Sequence, residues 1–151
     1  MAGEMKWSYA TQVTLESSGA SQGNAAFIAA DDTTLASGNH SNYPYADFVL
    51  KTVGFGAALT STGSWYCGLW RQDLNIDSTG DEGVPSASNR LHYCGGFVLP
   101  NSAASTSTHY VALTDVELVA DQQYYLEVAL NTSLTAGWTL KVTPKTLMPV
   151  A

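Results

Sequence analysis

Apolar residues recur at every second position along most of this chain. Trp7, Tyr9, Thr11, Val13 and Leu15 alternate with smaller or polar residues, the period of two that marks a half-buried strand. Residues 17–24 are rich in Ser and Gly and read as a loop. Residues 25–30 form a short apolar run, a strand or one short helix. In residues 45–55, Ala46, Phe48 and Leu50 oppose Val49, Val53 and Phe55, which predicts a central strand covered on both faces. In residues 65–74, Trp65, Cys67 and Leu69 oppose Tyr66 and Trp70. Residues 91–99 place Leu91, Tyr93, Phe97 and Leu99 on one face, with Pro100 as the stop. Two short apolar runs lie at 109–113 and 116–120. Residues 123–131 then alternate Tyr124, Leu126, Val128 and Leu130 against Tyr125, Glu127 and Ala129. Trp138, Leu140 and Val142 carry the last strand, which Pro144 is expected to end.

These segments make about eight strands, with turn signals every eight to twelve residues. The fold class they predict is all-β: a single antiparallel β-sandwich, jelly-roll-like, spanning residues 1–151. Within it, residues 1–6 are a short polar N-terminal arm, expected to be unpaired in the free chain and to order against a neighbour. No segment holds a 3.6-residue apolar stripe for three turns. Phe48, Leu50, Trp65, Leu69, Phe97, Leu126, Val128, Trp138 and Leu140 are the expected core.

Length and charge narrow the partners. With 151 residues, the chain can bury a core without staples. Six Lys and Arg stand against 13 Asp and Glu, for a net charge of −7. That balance argues against gripping a phosphate backbone or an anionic membrane. No apolar stretch approaches the length of a membrane span, and the N-terminal residues lack the apolar core of a signal peptide. The expectation is therefore no nucleic acid, no membrane, and assembly in a cytoplasm.

Motifs for chemistry are sparse. His40, His92 and His109 show no metal-ligand spacing. There is no nucleophile elbow and no phosphate cradle. No catalytic residue, cofactor or metal is assigned. Asp73, Asn75, Asp77 and Thr79 alternate like calcium ligands, with Asp81 and Glu82 following, but Ser78 and Val84 stand where an EF-hand needs Gly and Glu. A solvated acidic loop and an irregular calcium loop both remain open. Cys67 and Cys94 read as free thiols, with a bridge between neighbouring strands as the alternative. Asn39-His40-Ser41 and Asn131-Thr132-Ser133 match the glycosylation pattern and read as accidental. Among the aromatic residues, Tyr43, Tyr45, Tyr66 and Trp70 are the expected exposed set, suited to a protein interface or to sugar stacking.

Four segments carry a likeness. They are Tyr45-Ala46-Asp47-Phe48-Val49-Leu50, Leu69-Trp70-Arg71-Gln72-Asp73-Leu74-Asn75, Gly95-Gly96-Phe97-Val98-Leu99-Pro100 and Trp138-Thr139-Leu140-Lys141-Val142-Thr143-Pro144. Over residues 43–144 the chain resembles small β-rich virion structural proteins of tailed bacteriophages, which decorate the head or form part of the tail. The resemblance implies a non-enzymatic structural role through protein–protein contact. The expected partners are the major capsid protein or other virion proteins, with a homo-oligomer, taken as a trimer, as the expected assembly. The rival expectation is a carbohydrate- or host-receptor-binding module on the tail or capsid surface.

Overall fold

The computed structural model describes residues 4–29, 42–72, 85–88, 92–119 and 123–150. The 73–82 acidic loop and His40 lie outside these residues. Nine strands are formed: β1 (Met5–Tyr9), β2 (Val13–Gly19), β3 (Phe27–Ala29), β4 (Tyr45–Thr52), β5 (Trp65–Arg71), β6 (Tyr93–Val98), β7 (His109–Glu117), β8 (Tyr124–Leu130) and β9 (Trp138–Pro149). No helix occurs among the described residues, and the 25–30 run becomes β3.

The strands make two antiparallel sheets. One runs β1-β9-β4-β7, with β2 also on β9; the other runs β3-β8-β5-β6. From β2 to β9 the chain alternates between the sheets, except that β5 and β6 are neighbours in the second. That path is the jelly roll, two Greek keys folded into a sandwich. The inward residues of both sheets meet in one cluster that includes Phe48, Leu50, Cys67, Leu69, Phe97, Tyr124, Leu126, Val128, Trp138, Leu140 and Val142. Eight of the nine expected core residues are fully buried, while Trp65 packs against the cluster half-exposed. β4 is central, between β9 and β7, as the pattern predicts. Its outward Val49 and Lys51 are only half-buried, so that face is less covered than the sequence led one to expect.

Two bulges overturn expected facings. β1 and β2 lie end to end along one side of β9. Tyr9 pairs with Lys145 and Val13 with Val142, so four residues on one side span three on the other. The extra residue flips the alternation. Val13 and Leu15 therefore face inward, while Trp7 and Tyr9 face outward, opposite Leu147 and Lys145. The same thing happens in β6. Leu69 pairs with Gly95 but Trp70 with Tyr93, so Cys94 is the extra residue. Phe97 stays in the core, and Tyr93 turns to solvent.

Two further corrections concern the ends. The N-terminal segment is not unpaired: Met5 and Lys6 pair with Pro149 and Met148, and Val150 N donates to the Glu4 carbonyl at 2.7 Å. Nor does Pro144 end the last strand, because β9 runs five residues beyond it. A residue's N–H and C=O leave a strand on the same side. The Pro144 carbonyl accepts from Ala10 N at 2.8 Å, at the junction of β1 and β2. The missing donor of Pro144 thus falls where the ladder is already interrupted, the place where a strand tolerates proline.

Both cysteines are free thiols. They sit on paired strands, but Cys67 faces Phe97, three residues from Cys94. At roughly 3.3 Å per residue that offset puts the alpha carbons beyond the ~7 Å reach of a disulfide. Burial pushes the Cys67 thiol from an ordinary value of 9.0 to about 12, with the Glu127 charge adding to it, and raises Cys94 to about 11. Burial likewise raises Tyr124 to about 12. A raised pKa gives stability that is complete below the ordinary value and is lost as pH climbs toward the folded value. The fold is therefore expected to hold steady through neutral pH and weaken from about pH 9 upward, by as much as ~4 kcal/mol for Cys67 alone. Urea midpoints between pH 8 and pH 11, approximately the window set by these values, should fall more gently in Cys67→Ala. Parallel falls in the two proteins would show that the thiol is not responsible.

Candidate interaction surfaces

The four expected surface aromatics do not form one surface. Tyr43 packs half-buried against the core. Tyr45 is exposed on the outer face of the first sheet, edge-on to Trp7 with ring centroids 5.8 Å apart. Tyr66 and Trp70 point outward from the second sheet, on the other side of the sandwich. Trp70 is only 5% exposed, which corrects its expected exposure.

Two glycines explain why an outward tryptophan is buried. Gly68 and Gly96 are directly opposed on β5 and β6 and leave bare backbone. The Trp70 indole lies across Gly68, where a Cβ would come within 2.8 Å of its Nε1 and 3.0 Å of Glu127 Oε2. Tyr93 lies over Gly96, where a Cβ would meet its hydroxyl at 2.7 Å. Aromatic rings covering glycines in this way restore the packing that the glycines lack. Phe27 and Tyr93 flank Trp70 at centroid distances of 6.2 and 4.9 Å. Beneath them the buried Glu127 carboxylate accepts from Trp70 Nε1 at 2.8 Å. This face is a packed aromatic layer with an internal acceptor.

Beside it, Arg71, His92, Tyr93, Cys94, Val116 and Glu117 line a hollow of about 260 Å³ between β6 and β7. Arg71 bridges the hollow to Glu117 at 3.1 Å. His92 is thus a lining residue near the sheet edge. His109 stacks on Phe55, with centroids 6.1 Å apart.

The first sheet carries a different feature. β4 pairs with β9 only as far as Lys145. Beyond that point, among the described residues, Thr146–Pro149 is paired by β1 alone, so the two strands continue as a ribbon. Two-stranded ribbons are marginal by themselves in water. This one is rooted by Lys145, whose ammonium contacts Asp47 at 2.5 Å and Asp115 at 2.6 Å. Trp7 covers the ammonium, its ring centroid 4.3 Å away. Nine large apolar or aromatic side chains are exposed among the described residues, and six lie at this end: Met5, Tyr9, Tyr45 and Leu147 on the outer face, Met148 on the other face of the ribbon, and Val150 at its tip. A concentration of that kind marks a contact surface, whereas single exposed apolar residues do not. Of the expected interface residues, Tyr45 alone belongs to it. The sequence signal for its β9 half was Leu147-Met148-Pro149-Val150, an apolar run after the expected stop at Pro144.

Among the described residues, no three His, Cys, Asp or Glu gather as a metal site. The chain matches no protein-family model, and no curated protein matches it significantly.

Proposed function

We propose that this protein is a non-enzymatic structural component of a tailed-bacteriophage virion, a decoration or cement protein that binds the assembled shell. The observation that carries the reading is the apolar end of the β1–β9 ribbon, a surface suited to another protein. The jelly roll and the sequence resemblance set out above are its other supports. The partner is the major capsid protein or another virion protein, and copies of this chain associate, with a trimer matching a shell's threefold positions. A protein that binds only the assembled shell stabilises it by mass action.

Attachment through such a surface rests on apolar contact and backbone hydrogen bonds. Leu147→Asp and Met5→Asp are expected to weaken attachment to particles at least ~10-fold, since each places an unpaired charge in the contact. The isolated variants should melt near the wild-type temperature. Moderate salt should weaken wild-type attachment only slightly. Co-sedimentation with particles lacking the protein reads both, and wild-type occupancy by both variants would refute the reading. A map of the intact particle with the chain seated away from capsomer boundaries would refute the cement role.

The second reading is a carbohydrate- or host-receptor-binding module. The exposed ring of Tyr110 beside two lysines, on the outer face of the first sheet, favours it. Trp70 supplies no stacking platform, because its ring is buried.

A further inference from the structure

A groove of about 380 Å³ crosses the outer face of the first sheet, away from the ribbon end. Gln12, Val49, Lys51, Tyr110, Thr139 and Lys141 line it. Register explains the gathering. Lys141 pairs with Val49, and Lys51 pairs with both Thr139 and Tyr110, so residues from β9, β4 and β7 share one face. Gln12 reaches the groove from the β1–β2 junction, and its amide donates to Thr143 Oγ1 at 3.3 Å.

The charges in this groove are unusual for the chain. Only six residues are Lys or Arg, against 13 Asp and Glu. Arg71 and Lys145 are held by carboxylates. Lys51 and Lys141 form no ion pair among the described residues, and none of the described lining residues is acidic. The register makes the two lysines diagonal neighbours, a spacing of roughly 7–8 Å on a sheet, where like charges repel. Edge protection, one use of a lysine on a sheet, does not apply. β4 and β9 are both interior strands of their sheet. Folding therefore gains nothing evident from placing the two cations together, and a bound anion would.

The rest of the lining narrows the anion. Tyr110 is 70% exposed, the most open of the large hydrophobic side chains among the described residues, with Lys51 Nζ 5.8 Å from its ring centroid. Its ring and the Val49 side chain offer apolar surface, while Gln12 and Thr139 offer hydrogen bonds to hydroxyls. A sugar ring with a carboxylate presents all three chemistries at once: C–H faces, hydroxyls and one negative charge. The volume suits a small ligand of one or two rings. We propose that this groove is a binding site for an acidic glycan residue, a uronic or sialic acid. Its carboxylate sits between Lys51 and Lys141, and its ring lies against Tyr110. The proposal rests on the carbohydrate-binding reading and is independent of shell attachment through the ribbon.

Isothermal titration of the full chain with trigalacturonate and with sialyllactose tests it. At least one should bind saturably below about 10 mM, and the methyl ester of the binding sugar should not. Lys51→Gln, Lys141→Gln and Tyr110→Ala should each weaken binding about tenfold or more. Lys51→Arg should retain it, and all four variants should keep the wild-type melting temperature. Silence from both sugars overturns the proposal. So does binding that ignores the three substitutions, or citrate and hexaglutamate binding as well as the sugars with no dependence on Tyr110. None of these outcomes touches the attachment assay, so the two readings fail separately.

Discussion

Trp138→Ala is expected to cost about 3–5 kcal/mol, a large share of the roughly 5–15 kcal/mol that holds a domain folded. Trp138 opens β9 and is among the largest fully buried side chains. Gly137, at a φ of +95°, delivers it inward from a backbone conformation that a larger residue resists. The indole Nε1 donates to the Ala20 carbonyl at 2.9 Å, tying β9 to the end of β2. Gly19 is the other half of the contact. A Cβ there would lie 2.2 Å from Trp138 Cε2, and a rigid buried ring cannot yield that much. Gly19→Ala should therefore cost about 1–3 kcal/mol by overpacking, although alanine is usually the better strand residue. In the double variant Gly19→Ala, Trp138→Ala the glycine penalty should vanish, because the obstructing ring is gone. Urea unfolding reads all three proteins. A Trp138→Ala midpoint equal to wild type would mean that the β2–β9 register is wrong.

The second large effect belongs to Lys145. Its side chain is 3% exposed, between Asp47 and the 59%-exposed Asp115. Asp115 adopts a φ of +59°, and its N–H donates to Asp47 Oδ1 at 3.0 Å. The bulge in β7 thus brings the second carboxylate to the lysine. Desolvation alone would pull the Lys145 pKa down, but hydrogen bonds and charge from Asp115 and Asp47 outweigh it, and the pKa is raised above 10.5. The stability it provides is therefore fully present below about pH 10.5 and is lost as pH rises through the higher folded value. Lys145→Met should cost about 3 kcal/mol, because it leaves Asp47 without its cation in a mostly buried site and removes the cation under Trp7. Asp115→Asn keeps a residue that tolerates positive φ and removes only a solvated charge, so it should cost less than about 1 kcal/mol. Equal losses in the two variants would show that burial of Lys145 does not decide the energetics. Because Trp7 lies on β1, Lys145→Met should also loosen the ribbon. Faster amide exchange over Met5–Tyr9 than over β2 would report it.

Alternation along the chain determined the class of the molecule. A period of two, in segments of strand length between turn residues, admits few arrangements other than a sandwich. The residues that alternate most regularly, Phe48, Leu50, Leu126, Val128, Trp138 and Leu140, are the ones found in the core. The pattern could not say where the alternation slips. One extra residue flips every side chain beyond it, and that residue is set by the partner strand across the ladder. Trp7 and Tyr93 depart from the alternation's expected facing for this reason, near the β1–β2 junction and at Cys94. Nor could the sequence show that an outward Trp70 would lie buried over Gly68, since that needs Gly96 to be directly opposite on another strand. The strand continuing through Pro144 depended on where the missing donor points. The groove of Lys51, Lys141 and Tyr110 joins residues that are far apart in the chain, and only the registers of β4 with β7 and β9 bring them together. Periodicity is a local property and fixes which residues form strands. Facing, burial of outward rings and the gathering of unpaired charges depend on registry between distant strands, which only the folded chain sets.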